Sequence, residues 1–427
     1  MKKVSTEKMV ATIAAHGSIF VFAIIALEVV IMISPFAFFF YSVFSPIFKW
    51  IDQYSATAWL TDFFLPHMIL PPTLLLKIIR IFGSVLFLLG GMTFVICALQ
   101  VYLGKILKWG VAKKGLYRYI RHPQYLGLAL WGVGMSILWP RFIVLLFLSI
   151  MFVLYYYLAK DEERRMLTAF GESYAQYMKT TGMFIPRPIE SSLSLAGQLF
   201  PKTWLRHVFV PLVTVTVVMS AGYVCRGMTL RSLSFESADN ISLVSILPED
   251  NALNASIIRD IKHGQGDGKI GFLNRDRDYL GYVMPADYIM QGMIANTGSD
   301  FHLFKQHNTI TMITDWVLHP FQHLRRSPSA HMAKMHHVDP SMARRHHCPI
   351  GIDDANLECA TCPYRRVIVV EVRQKDGVHL TGYKLLSLGT ERLPVAFLDI
   401  DTSTGEIVDV KQVEPTTAWA DVPTPSI

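Results

Sequence analysis

The sequence predicts an all-α polytopic membrane domain of about five transmembrane helices, followed by a soluble α+β domain. Three observations carry this. From Met9 to about Cys225 the chain is dominated by long apolar runs, and a bilayer core needs about 20 apolar residues per helix. From about Arg226 onward the composition becomes that of an ordinary soluble domain. From Val367 the apolar residues fall in short β-branched runs bounded by turn residues, which reads as strands. Across all 427 residues, 52% are hydrophobic and 17% charged. The charged share is below the roughly 25% usual in soluble domains.

The elements follow in order. The N-terminus, Met1-Lys2-Lys3, runs into an apolar stretch too long for a signal peptide, so it reads as a retained span from about Thr12 to Ile33, broken at Ser34-Pro35. The aromatic stretch Phe36 to Trp50 reads as interfacial. A polar loop with Asp52, Asp62 and His67 precedes a second span, about Thr73 to Leu103. A pair of spans follows, about Tyr125 to Leu138 and Arg141 to Leu158, hinged at Trp139-Pro140. The last span is about Val208 to Val224. The boundary is placed at 228/229, giving a membrane domain of 1–228 and a soluble domain of 229–427. Within the latter, 331–365 is rich in His, Met and Cys, and 366–413 is β-rich, with strands at Val367 to Val372, Val378 to Leu386, Leu393 to Ile400 and Glu406 to Val413. Asp401 to Gly405 is a hairpin turn; a Ca²⁺ loop there is the weaker reading.

Net charge is +7. Lys105, Lys108, Lys113, Lys114, Arg118 and Arg121 fall in one short loop between apolar segments. That is the positive-inside pattern of a cytoplasmic loop, and it argues against nucleic acid as the partner. With Lys2, Lys3, Lys8 and the basic stretch 160–187, it places the N-terminus in the cytoplasm and the C-terminal domain across the membrane. In a bacterium this is an inner-membrane protein with a periplasmic domain.

Two stretches carry chemistry. The first is Gly115-Leu-Tyr117-Arg-Tyr-Ile-Arg121-His122-Pro123-Gln-Tyr125-Leu-Gly127, where a basic loop meets an apolar helix start. Pro123 suits the first turn of a helix. Titratable groups at the membrane edge are functional candidates by default. The second begins at Asp161-Glu162-Glu163. Glu163, Leu167, Phe170, Tyr174 and Tyr177 are spaced to share one helical face. A carboxylate at the end of a span can pair with an ammonium or a ribose hydroxyl. The stretch closes with Phe184-Ile-Pro-Arg187-Pro188. Tyr174 and Tyr177 serve either the pocket or simple packing, and Gly132-x-Gly134 reads as close helix packing. Glu28 and His16, in the first span, have no assigned role.

The ordered set of Arg-His-Pro-x-Tyr-x-Gly, Glu-Glu about 35 residues on, and Phe-Gly-x-x-Tyr-x-x-Tyr resembles the isoprenylcysteine carboxyl methyltransferase and phospholipid methyltransferase superfamily, over roughly residues 73–190. The resemblance implies an S-adenosylmethionine-dependent methyltransferase whose cofactor sits at the cytoplasmic face. It implies that Tyr117, Arg121, His122, Pro123, Tyr125 and Gly127 line the cofactor, that Glu162 and Glu163 hold its amino group, and that Arg187 lies near cofactor or acceptor. Tyr174 joins the pocket in this reading, and His122, Arg121 and Arg187 are the candidate catalytic residues. The acceptor is a membrane lipid or hydrophobic small molecule bearing a carboxylate, amine or thiol. An amine or thiol would need deprotonation, for which His122 is the candidate base.

A second constellation runs His331-Met332, Met335-His336-His337, Met342, His346-His347-Cys348, then Cys359-x-x-Cys362. His346, His347, Cys348, Cys359 and Cys362 suit a zinc site, the cysteines an iron–sulfur cluster, and the Met and His ligands copper. The competing reading is a Cys359–Cys362 disulfide on a solvated surface. The rival to the enzyme reading is a methyltransferase fold that has lost catalysis and anchors a larger redox or metal-handling complex, with membrane protein partners bound through the soluble domain.

Overall fold

The structure is a computed structural model describing residues 26–37, 39–40, 51, 54, 56–66, 69, 73–107, 111–191, 203–266, 270–274, 276–285, 289–290, 293–294, 305–306, 364–373 and 379–412. The candidate metal ligands His346, His347, Cys348, Cys359 and Cys362, with the remainder of the His/Met/Cys-rich stretch, lie outside them. The chain forms two compact units. The first comprises Met1–Ile47, Phe82–Trp139 and Ile143–Ala221; the second comprises Phe48–Ile81, Pro140–Phe142 and Gly222–Ile427.

Five helices concern the first unit most. They are α1 (Ala26–Ala37), α2 (Leu74–Ile106), α3 (Pro123–Leu138), α4 (Phe142–Phe170) and α5 (Glu172–Thr180). A sixth, α6, covers Thr203–Ser232. Among the described residues three helices are long and apolar enough to cross a membrane: α2, α4 and the Val208–Ser232 part of α6. At 16 residues α3 is shorter than a span, and most of the expected first span is outside the described residues. Helix α1 continues through Ser34-Pro35, where a break was expected. The Ser34 hydroxyl donates to the Val30 carbonyl one turn back. The aromatic stretch expected at the interface begins inside this helix, and Phe39 is fully buried.

Glycine sets the packing of α2 against α3. A Cβ at Gly127 would stand 2.6 Å from the Phe94 nitrogen, and one at Gly134 would stand 2.7 Å from the Gly83 carbonyl oxygen. One at Gly90 would stand 2.7 Å from the Trp131 Cα. The pairs Gly83 with Gly134 and Gly90 with Gly127 run in opposite directions, so the helices are antiparallel, with both backbones in close contact. Gly134→Leu is therefore expected to force them apart and to destabilise the unit by about 1–3 kcal/mol or more. A melting temperature in detergent equal to wild type would refute so tight a seam.

The second unit is built on a six-stranded sheet: β1 (Phe235–Ala238), β2 (Ile241–Ser245), β3 (Asp278–Pro285), β4 (Tyr364–Arg373), β5 (Glu391–Asp401) and β6 (Glu406–Gln412), in sequential order. All neighbours are antiparallel except β2 and β3. That parallel pair is joined through α7 (Asn254–Gly266), which suits the crossover a parallel pair requires. Alternation along β4 feeds both faces. Val367 and Val369 pack with Ile257, Ile258 and Ile261 of α7. Ile368, Val370 and Val372 pack with Leu385, Leu386 and Tyr282 on the other face. The expected strand Val378 to Leu386 is instead a 3₁₀ turn at Gly382–Leu386, entered through Gly382 at φ +58°. Two further segments belong to this unit. Phe63 bridges Arg141, and Arg141 donates to the Thr61 carbonyl at 2.6 Å. Asp62 accepts from Arg392 at 2.9 Å and from the Gly389 amide at 2.8 Å. Arg226 donates to the carbonyls of Phe63 and Leu386.

Candidate active site

The candidate residues converge where α3 begins. Tyr117 lies on a 3₁₀ turn, Gly115–Arg118, entered through Gly115 at φ +61°. Residues 119–122 then run beside 182–183. The amide of Arg121 donates to the Gly182 carbonyl at 2.8 Å and that of His122 to Met183 at 3.1 Å. Gly182 has no room for a Cβ, which would meet the Ile185 carbonyl. His122 caps α3, with Pro123 in the first turn.

Helix α4 brings the carboxylates. It runs unbroken from Phe142 to Phe170, so Glu162 and Glu163 sit within it, about one turn beyond the expected end of the span. The helix stops at Gly171, whose φ is +53°. Tyr174 and Tyr177 therefore belong to the separate α5, not to one face continuous with Glu163, Leu167 and Phe170. Leu167 and Phe170 are exposed, whereas Glu163, Tyr174 and Tyr177 are buried.

At the centre His122, 1% exposed, lies between two acids. Its Nδ1 is 3.5 Å from Glu162 Oε2 and its Nε2 is 3.5 Å from Glu163 Oε1. Burial alone would favour the neutral ring; the two carboxylates outweigh it and raise the His122 pKa above its ordinary value. The Arg121 Nε donates to Glu163 Oε1 at 2.6 Å, and its Nη1 donates to the carbonyls of Thr181 and, at 3.3 Å, Met178. Arg121 thus ties α4 to the 178–183 turn. Glu162 is placed differently. The Tyr125 hydroxyl donates to its Oε2 at 3.2 Å, and its side chain is one-third exposed. Among the described residues, its contacts with His122 and Tyr125 both use Oε2.

Aromatic rings wall the cluster. His122 stacks on Tyr125 at 5.4 Å and 9°, and Tyr125 on Tyr155 at 5.0 Å. Phe184 approaches His122 at 6.0 Å. Tyr155 and Phe184 had no role assigned from the sequence. Tyr155 stands within an apolar span, in a run of three tyrosines, and a polar-tipped ring inside a span was the available signal. The Tyr117 hydroxyl donates to Gln124 Oε1 at 2.6 Å, and Tyr177 donates to the Tyr117 carbonyl at 2.5 Å. Burial pushes the hydroxyls of Tyr117, Tyr174 and Tyr177 up, that of Tyr177 to about 12, so they remain neutral. Gly127 lies in the α2–α3 seam, and Arg187 is half-exposed, 3.6 Å from Glu190. Among the described residues no group of three or more His, Cys, Asp or Glu could hold a metal ion.

Comparison with known proteins covers this same region. Residues 78–173 match the model of the phospholipid methyltransferase family. Protein-S-isoprenylcysteine O-methyltransferase from Schizosaccharomyces pombe is 36% identical over 73 residues, which is 17% of this chain and 31% of that protein. The match thus spans about a third of the curated relative's length. No solved structure matches. With its apolar helices, the membrane part of this integral membrane protein, over residues 78–173, is of the isoprenylcysteine carboxyl methyltransferase and phospholipid methyltransferase superfamily.

Proposed function

We propose that the protein uses S-adenosylmethionine to methylate a carboxylate oxygen on a hydrophobic acceptor. The observation that carries this is the pairing of unequal acids around His122. Glu163 is buried and ion-paired to Arg121, while Glu162 is one-third exposed and is held by Tyr125 and His122. The residues fit the cofactor: an ammonium seeks a partly shielded carboxylate, and Glu162 offers one beside a wall of stacked rings. In this reading Glu162 holds the ammonium, Tyr125 fixes the Glu162 rotamer, and the Tyr125–Tyr155 stack keeps water from the site. Arg121, Glu163, Tyr174 and Tyr177 brace the turn; Tyr117 and Pro123 set the start of α3, and Gly127 seats that helix against α2.

When bound, the cofactor supplies a sulfonium methyl group; transfer to a carboxylate oxygen forms the C–O bond, returns the S–C electron pair to sulfur and releases no proton. Such a step needs alignment and desolvation rather than a base. The raised pKa of His122 supports the same choice, since two carboxylates favour the protonated ring, the form that cannot take a proton from an amine or thiol. In this reading the half-exposed Arg187 meets the acceptor's carboxylate, in exchange for its contact with Glu190. By the positive-inside rule the site faces the cytoplasm, with the C-terminal half periplasmic in a bacterium.

Titration calorimetry of the purified protein with S-adenosylmethionine tests this. Wild type is expected to bind. Glu162→Gln is expected to lose about 1.5–3 kcal/mol, the range for a hydrogen bond to a charged group, with its melting temperature unchanged. Transfer of a tritiated methyl group into lipid extract, released by mild base as an ester, identifies the oxygen acceptor. No binding to wild type, or a base-stable labelled product, would sink the proposal in its respective part.

A further inference from the structure

A second charged pair stands near the same cluster, on elements given no part in the reaction above. Glu28 of α1 and Lys105 in the last turn of α2 form an ion pair. A carboxylate in an apolar helix needs such a companion, but this cation is not isolated from the site. Lys105 Nζ lies 5.6 Å from the centroid of the Tyr102 ring. The Tyr102 hydroxyl is 3.7 Å from Met32 Sδ, and the Tyr155 hydroxyl donates to the Met32 carbonyl at 3.1 Å. Tyr155 is the ring stacked on Tyr125, which holds Glu162. Lys105 thereby lies within electrostatic range of Glu162. One flexible ammonium therefore stands in range of two carboxylates and is bound to one of them.

We propose that Glu28 is a positioning residue: by holding Lys105 it keeps the Glu162 carboxylate open to the ammonium of an incoming cofactor. The inference rests on the reading of Glu162 given above. Lys105 has a four-carbon stem with free rotation. Without Glu28 the ammonium is free to turn toward Glu162, and in a partly dry site attraction between opposite charges is strong. The ammonium of Lys105 would then compete with that of the ligand.

The test compares two ligands by calorimetry on the full-length protein: S-adenosylmethionine, and 5′-methylthioadenosine, which has no ammonium. Glu28→Gln is expected to weaken the first about tenfold, the scale of one charge acting at ion-pair range, and to leave the second unchanged. Glu28→Gln with Lys105→Gln is expected to restore the first. Lys105→Gln alone, which does not depend on the Glu28 variant folding, is expected to bind S-adenosylmethionine at least as tightly as wild type. Equal weakening of both ligands by Glu28→Gln would make Glu28 a fold element and overturn the inference. So would an unchanged affinity, a double variant as weak as the single one, or a weaker Lys105→Gln. Failure of wild type to bind S-adenosylmethionine would instead overturn the reading of Glu162 itself, and this inference with it.

Discussion

Arg121→Ala is expected to destabilise the membrane unit by about 3–5 kcal/mol, because it removes one member of a buried ion pair and leaves the other charged. The Glu163 side chain is 4% exposed and the Arg121 side chain 5%. The loss extends beyond the pair, since the same guanidinium holds the Thr181 and Met178 carbonyls. Those carbonyls end α5 and start the turn whose backbone pairs with residues 119–122. Losing the arginine therefore loosens both strands that carry His122. Arg121→Lys keeps the charge but not the fork of donors, so it should rescue only part of the stability. Thermal unfolding in detergent reads the effect. The outcome that would sink this account is an Arg121→Ala protein that melts with wild type and binds S-adenosylmethionine as tightly.

Residue types and order made this site legible in the sequence. Arg121, His122, Tyr125, Glu162 and Glu163 were all named as candidates, because charged groups at an apolar boundary are expensive unless they serve something. What the spacing did not reveal was how the two acids divide their work. Glu162 and Glu163 are neighbours on α4 and so point about 100° apart. One faces Arg121 in the interior; the other remains partly exposed beside Tyr125. A sequence reading gives adjacent acids the same role, whereas a helix cannot. The face drawn through Leu167 to Tyr177 failed for a related reason. Gly171 takes a positive φ, which ends α4 and restarts the periodicity in α5.

In the second unit, the β-branched runs of β4 and β5 and the Asp401–Gly405 turn were readable from pattern alone. The turn is fixed by Asp401, whose carboxylate accepts from the Ser403 amide and hydroxyl at 2.9 and 2.5 Å. The role of Asp62 was not readable. It lies more than 300 residues from Gly389 and Arg392, with which it bonds, and no local pattern marks so distant a contact. The parallel pairing of β2 with β3 was equally hidden, because the crossover through α7 passes a stretch of mixed composition.

Asp399→Ala is expected to destabilise the second unit by about 3–5 kcal/mol. Arg366 Nε donates to Asp399 Oδ1 and its Nη2 to Oδ2, both at 2.7 Å. The two residues face each other across β4 and β5 in direct register, with side chains 6% and 2% exposed. The guanidinium also lies 4.5 Å from the centroid of the Phe397 ring. Two-point geometry of this kind makes a strong contact, but the larger effect of the substitution is the charge left buried without its carboxylate. That distinction can be measured. If the loss comes from an orphaned charge, replacing both residues with leucine should recover most of the stability, since apolar groups of similar volume carry no desolvation cost. Hydrogen exchange of the full-length protein, read on peptides spanning 364–373 and 391–401, should show fast exchange in Asp399→Ala and near wild-type protection in the double leucine variant. A double variant as labile as the single one would mean that the pair itself, through its bonds and register, holds the centre of the sheet.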